Sequence, residues 1–298
     1  MSLNPTFTSN IRDLYGETGE AWLKDLPLLL AQLADKWNFR FLDVMADLTY
    51  NFVGLVEMIP TGKTAILKIG PQRQNIATEV RWLKCFDAGV PKVYWHDEEH
   101  DAFLMERLEP GQSLKALVKA GNDEQATRTI CHTIRELQSH QQKQSEFPHI
   151  SELAGSLSVL NDHLDSRIVS KAESLFRELT ADRTQDVILH GDLHHDNILS
   201  SGPTWKVIDP HGYSGDPVFE VGAMIYNSCD TLSQDHSVGQ IVERRLQILA
   251  EELSFDPQRI KAWAFCKTAL SIAWTVEDHG TIPGFEVEVL SAIDGMKI

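Results

Sequence analysis

The run DVILHGDLHHDNILSSGPTWKVIDPHGYSGDPVFE, residues 186–220, decides how this chain is read. From His190 to Asp230 there are six acids, Asp192, Asp196, Asp209, Asp216, Glu220 and Asp230, against one base, Lys206. Carboxylates this dense repel one another unless a cation neutralises some of them. Hard carboxylate and amide oxygens favour Mg2+, and Mg2+ in turn favours phosphate. The flanks Val187–Leu189, Ile198–Leu199 and Trp205–Ile208 are apolar stubs. Short strands there would hold the loop His190–Asn197, with Asp209 just past a strand end. Asp192, Asn197 and Asp209 are therefore expected close together on rigid supports.

Upstream of residue 108 the chain is rich in strand patterns. Phe39–Ala46, Asn51–Ile59 and Lys63–Ile69 are short apolar or alternating runs, the last two joined by the hairpin signal Pro60-Thr61-Gly62. Ile76, Val80 and Leu83 follow at helical spacing. Lys92–Trp95 and Ala102–Met105 then flank the charged turn Asp97–Asp101, a second hairpin. After Glu109-Pro110-Gly111 the pattern turns helical, with long stretches over Asp123–Gln142 and Glu152–Leu179. Asp256 and Pro257 mark a later helix start, as cap and first-turn residue. The outline is α+β: a small antiparallel sheet with one helix over residues 1–106, and a larger, mainly helical lobe over 107–298. A cleft between two such lobes is a natural place for a ligand.

The 298 residues carry 43 acids against 27 Lys plus Arg, a formal net charge of −16. That balance argues against nucleic acid and against anionic membrane surfaces. It suits a cationic small molecule, although excess acid also serves plain solubility. Four cysteines without a C-x-x-C pair read as buried thiols in a reducing compartment. The N-terminus shows no basic-then-apolar leader, and the apolar stretches Leu26–Ala34 and Ala262–Val276 are too short to span a bilayer. The expected location is the cytoplasm. Oligomeric state is not encoded in any pattern here.

His190-Gly191-Asp192-Leu193-His194-His195-Asp196-Asn197 resembles the catalytic loop of protein-kinase-like enzymes, in the form used by aminoglycoside phosphotransferases. Val207-Ile208-Asp209 resembles their second metal-binding segment. Lys68, in Ala65-Ile66-Leu67-Lys68, and Glu79 on the following helix stand in the same order as the other kinase parts. The tail Ile208-Asp209-Pro210-His211-Gly212 with Gly215-Asp216-Pro217 looks most like the aminoglycoside/hydroxyurea resistance kinase branch. The resemblance spans roughly residues 40–280, and it implies a bilobal protein-kinase-like fold.

It also implies an ATP- (or GTP-) and Mg2+-dependent transfer of a γ-phosphoryl group to a small-molecule hydroxyl, in an aminoglycoside such as streptomycin or in hydroxyurea. In that frame Asp192 accepts the hydroxyl proton, and Asn197 and Asp209 bind Mg2+. Lys68 contacts the α- and β-phosphates and Glu79 holds it extended. Glu106, Arg107 and Leu108 form the hinge that reads adenine. The turn Asp47–Gly54, through Thr49, Tyr50 and Asn51, covers the phosphates without a G-x-G-x-x-G loop. Only six residues separate Asp209 from Asp216, which leaves little room for a peptide-binding segment and favours a small substrate.

Plainer roles compete at several positions. His190 braces the loop, Asp216 caps a helix that begins at Pro217, and Trp205, Trp263 and Trp274 are core. His190 and His194 stand four apart, a spacing that suggests zinc and a metallohydrolase, but Gly191 and the strand-like flanks argue against the helix such a pair needs. Phosphorylation of an ordinary metabolite alcohol is the nearer alternative to an antibiotic acceptor.

Overall fold

The computed structural model describes residues 3–46, 48–71, 73–141, 146–232 and 237–296. Asp47, first residue of the turn expected over the phosphates, and Gln142, last residue of an expected helix, lie outside the described residues. The chain divides into two compact units. One runs to Lys84 and takes in Pro91–Leu108; the other takes in Cys85–Val90 and the chain from Glu109 onward. The division thus falls between Leu108 and Glu109, two residues beyond the boundary read from the sequence.

The first unit opens with α1 (Pro5–Trp37), which no clear pattern in the sequence announces. Gly16, at φ 55°, and Pro27 interrupt it, so its apolar period is hard to read. Asn4 caps it through the Thr6 N–H, and Asn38 closes it in the left-handed region. Then follow β1 (Phe39–Val44), β2 (Phe52–Met58), β3 (Lys63–Ile69), α2 (Arg73–Leu83), β4 (Val93–Asp97) and β5 (Ala102–Glu106). The strands form one antiparallel sheet in the order β1-β2-β3-β5-β4. Phe7, Ile11, Leu26, Leu30 and Leu33 of α1 pack with Phe52, Val56, Ala65, Leu67, Ile69 and Leu104 in one buried cluster. Alternation along β3 sends Ala65, Leu67 and Ile69 into that cluster and Ile66 and Lys68 to the opposite face.

The second unit contains β6 (Pro110–Ser113), α3 (Lys115–Lys119), α4 (Asp123–Ser139), α5 (Ser166–Leu179), β7 (Val187–Leu189), β8 (Ile198–Ser201), β9 (Thr204–Val207) and β10 (Tyr213–Gly215). It ends with α6 (Gly222–Tyr226), α7 (Cys229–Leu232), α8 (Val238–Leu253), α9 (Pro257–His279) and α10 (Gly284–Gly295). The single helix expected over Glu152–Leu179 is in fact a 3-10 helix, Ile150–Asp162, followed by α5. Asp165 makes the break: its carboxylate accepts the Arg167 N–H at 2.8 Å and starts a new helix. Helix α9 is the core of this unit, capped by Asp256, with Pro257 in its first turn and Gly280 at its end. It is buried nearly all round, against α5, α6, α8 and α10. Phe176 and Phe219 meet Trp263 edge-on, with ring centroids 5.3 and 5.1 Å away. Among the described residues no helix is long and apolar enough to cross a membrane.

Candidate active site

Lys68 sits on β3, paired across the sheet with Val53 on β2 and Phe103 on β5. Its Nζ lies 2.7 Å from Oε2 of Glu79 on α2, with the two side chains 5% and 6% exposed. A buried ammonium needs such a partner, because desolvation of an unpaired charge costs several kcal/mol. Thr49 precedes β2, and its carbonyl accepts from Asn10 Nδ2 at 3.3 Å, which ties the turn to α1. Asn51 is half-buried in the same turn, its side-chain oxygen close to Gly70. Glu106 ends β5. Its N–H donates to the Lys92 carbonyl at 2.8 Å, and its carboxylate accepts the Lys92 N–H at 3.0 Å. Leu108 is buried two residues further on.

In the second unit the loop 190–197 hangs between β7 and β8. His190 is buried with both ring nitrogens engaged: Nδ1 accepts the Asp192 N–H at 3.2 Å, and Nε2 lies 2.8 Å from the Ile208 carbonyl. Burial holds its pKa down to about 4, against the Ile208 carbonyl and Asp192, so it stays neutral and braces the loop. With both nitrogens taken, it has none for zinc. The Asn197 amide nitrogen donates to the Asp192 carbonyl at 3.0 Å, and the Ile208 N–H donates to the Asn197 carbonyl at 3.0 Å. The N–H groups of His211 and Gly212 return to the His190 carbonyl. These bonds join Asp192, Asn197 and the segment carrying Asp209 into one frame.

The Asp192 side chain is 22% exposed. Its Oδ2 lies 3.4 Å from His194 Nε2 and 3.9 Å from His211 Nε2. His194 Nδ1 accepts the Asp196 N–H at 3.3 Å, and its Nε2 faces both Asp192 Oδ2 and, at 3.3 Å, the Asn197 amide nitrogen. Burial pushes the Asp192 carboxyl up, but the His194 hydrogen bond, Lys267 and His211 outweigh it and hold it well below the usual carboxylate range. It is a carboxylate at neutral pH. Asp209 is exposed and held at φ 59°, a left-handed conformation that an Asp tolerates better than most residues. The Asn197 amide nitrogen is engaged, so its amide oxygen and the Asp209 carboxylate are the two hard oxygen donors this segment would offer a cation. This donor set fits Mg2+.

Three further residues surround this loop, Glu220 and His211 from the run 186–220 and Lys267 from far outside it. Glu220 accepts the N–H groups of His190 and Gly191 at 3.0 and 3.3 Å, and burial raises its pKa to about 7 despite those bonds and Lys267. Lys267 reaches the loop from α9, donating to the Gly191 carbonyl at 2.6 Å. Its one sequence signal is a lone lysine in the apolar stretch Ala262–Val276. His211 packs near Tyr213 and Trp274, with ring centroids 6.3 and 6.4 Å away. Trp274 is only half-buried, unlike the core residue Trp263. Asp216 caps the 3-10 helix Pro217–Val221 through the Val218 N–H at 3.0 Å, and it also accepts from Arg259 and Trp263 Nε1.

The model of the aminoglycoside/hydroxyurea antibiotic resistance kinase family matches residues 48–279. The chain is 26% identical over 274 residues to a streptomycin 6-kinase of Streptomyces glaucescens, covering 89% of this chain and 87% of that one. It is 25% identical over 293 residues to a hydroxyurea phosphotransferase of Kitasatospora aureofaciens, covering 94% and 82%. The crystal structure of a thermostable mutant of an aminoglycoside phosphotransferase, a ternary complex with ADP and hygromycin B, superposes with a TM-score of 0.60. It shares 13% identity and covers 90% of this chain and 99% of its own, so it speaks for the protein-kinase-like fold. On the extent of that family match and the loop it includes, the chain belongs to the aminoglycoside/hydroxyurea antibiotic resistance kinase family, and it is a phosphotransferase.

Proposed function

We propose that this chain transfers the γ-phosphoryl group of ATP to a hydroxyl of a small molecule, with a streptomycin-like aminoglycoside or hydroxyurea as acceptor. The setting of Asp192 carries this reading: an ionised carboxylate, partly open, on a loop whose backbone is fixed on both sides. Asp192 takes the acceptor's hydroxyl proton as the new oxygen–phosphorus bond forms and the bond to the ADP oxygen breaks. Lys68, held by Glu79, meets the α- and β-phosphates as a point charge. Thr49 and Asn51 cover the phosphates from their turn. The Glu106 N–H is engaged by Lys92, so adenine is read by the remaining backbone groups of Glu106–Leu108. Asn197 and Asp209 hold Mg2+, which when bound neutralises phosphate charge.

The net charge of −16 suits a cationic acceptor more than neutral hydroxyurea. The thiols of Cys85, Cys131 and Cys266 are buried and form no disulfide, in keeping with a reducing cytoplasm. The test is release of ADP from MgATP, or of GDP from MgGTP, stimulated by a panel of aminoglycosides, hydroxyurea and common amino alcohols. Mass spectrometry would identify the phosphorylated product. Stimulation by streptomycin-type compounds is expected. Stimulation by an amino alcohol alone would make the acceptor an ordinary metabolite.

A further inference from the structure

Lys267 is the least expected charge in the second unit. Its side chain is 1% exposed, in a helix otherwise buried through apolar residues. The ammonium donates to the Gly191 carbonyl at 2.6 Å and lies 3.8 Å from Asp192 Oδ1. The rings of Phe219 and Trp274 enclose it, with centroids at 5.0 and 4.6 Å. Glu220 engages the N–H of the same Gly191, so the one residue between His190 and Asp192 is gripped at both its donor and its acceptor. Gly191 holds φ 86°, and a Cβ there would lie 2.6 Å from Tyr213 Cδ2. The stem is boxed as closely: a Cβ on Gly222 would meet Lys267 Cβ at 2.5 Å and Cγ at 2.8 Å. Burying an ammonium is costly, and here the Gly191 carbonyl and the carboxylates of Asp192 and Glu220 offset that cost. The same contacts tie the lysine directly to the Gly191–Asp192 peptide.

We infer that Lys267 is a positioning residue for phosphoryl transfer: from α9 it fixes the Gly191–Asp192 peptide and turns the Asp192 carboxylate toward the acceptor. This rests on the reading of Asp192 as the proton acceptor. Oδ1 faces the buried Lys267, while Oδ2 faces the two histidines. Without the ammonium the carboxylate keeps its contacts to the histidines at Oδ2 but loses the cation facing Oδ1 and the hold on the Gly191 carbonyl, and misplacement of about 1 Å costs on the order of a hundredfold in rate.

The test is a double-mutant cycle with Lys267→Met and Asp192→Asn, reading kcat, acceptor KM, MgATP affinity and thermal midpoint. Lys267→Met is expected to lower kcat about a hundredfold while leaving MgATP affinity and acceptor KM unchanged. The double variant should be no slower than Asp192→Asn alone. Lys267→Arg, which keeps a cation and its donors, should recover part of kcat. Losses that multiply in the double variant would overturn the inference, as would an unchanged kcat in Lys267→Met. Unfolding of both the Met and Arg variants would assign the lysine to the core and overturn it too. The single variant Asp192→Asn separates the two claims: full activity there sinks the proton acceptor itself, and the positioning role with it.

Discussion

The Nζ of Lys68 on β3 and Oε2 of Glu79 on α2, the next element along the chain, lie 2.7 Å apart with both side chains almost fully buried. Each is a close counter-charge for the other in a setting that water does not reach. Breaking a buried pair from one side costs roughly 3–5 kcal/mol, because the remaining buried charge loses that counter-charge. Glu79→Gln should therefore lower the urea midpoint of the first unit's unfolding and weaken nucleotide binding together. Nucleotide binding that persists at full strength would show that Lys68 needs no counter-charge to serve the phosphates.

Removing the carboxylate at Asp192 tests the chemistry. Asp192→Asn should lower kcat on the order of 10²–10⁴-fold, the range of general base catalysis. MgATP affinity, measured by calorimetry, should hardly change. A variant that turns over normally would remove Asp192 from the reaction.

Asp209→Asn leaves the backbone conformation accessible, since Asn also adopts the left-handed region. It removes one unit charge from the cation's surroundings. Nucleotide affinity in the presence of Mg2+ should fall roughly tenfold or more, with no change in its absence. Equal affinity of the two proteins in Mg2+ would rule Asp209 out as a ligand.

A pH dependence follows from Asp97 in the first unit. Burial pushes its carboxyl up, but Lys36 Nζ at 2.7 Å and His100 Nδ1 at 2.9 Å outweigh burial and hold the pKa down to about 2. The His100 N–H adds a further bond at 3.3 Å. The folded value lies below that of the unfolded chain, so the carboxylate contributes stability above about pH 4 and loses it as pH falls from about 4 toward 2. Asp97→Asn should lower stability at pH 7 by roughly 1–3 kcal/mol. The gap between variant and parent, read from denaturant midpoints, should narrow below about pH 4. A gap that stays constant from pH 7 down to about pH 2 would exclude the ionised carboxylate as its source.

Much of the architecture is legible in the sequence because local chemistry and tertiary packing agree. The hairpin turn at Pro60-Thr61-Gly62, the strand Lys63–Ile69 and the start of α9 at Asp256-Pro257 lie where turn and cap residues put them. The loop 190–197 is legible for a related reason: its shape depends on side-chain-to-backbone bonds over short spans, from the Asp192 N–H to His190 Nδ1 and from the Asn197 amide to the Asp192 carbonyl. The break before α5 is hidden because Asp165 competes as a cap inside a helical pattern. Helix α1 is hidden because Gly16 and Pro27 obscure its period, and its burial against the sheet overrides that weakness.

The succession of strands, the motif and the charges in it belong to the sequence alone, since each rests on neighbours a few residues apart. The convergence of Lys267 and Glu220 belongs to the tertiary structure: they reach Gly191 from 76 and 29 positions away, from α9 and from the 3-10 helix after Asp216. No periodicity marks them. Only a packed core, which excludes water and leaves a buried charge few partners, makes a lysine and a glutamate converge on one glycine.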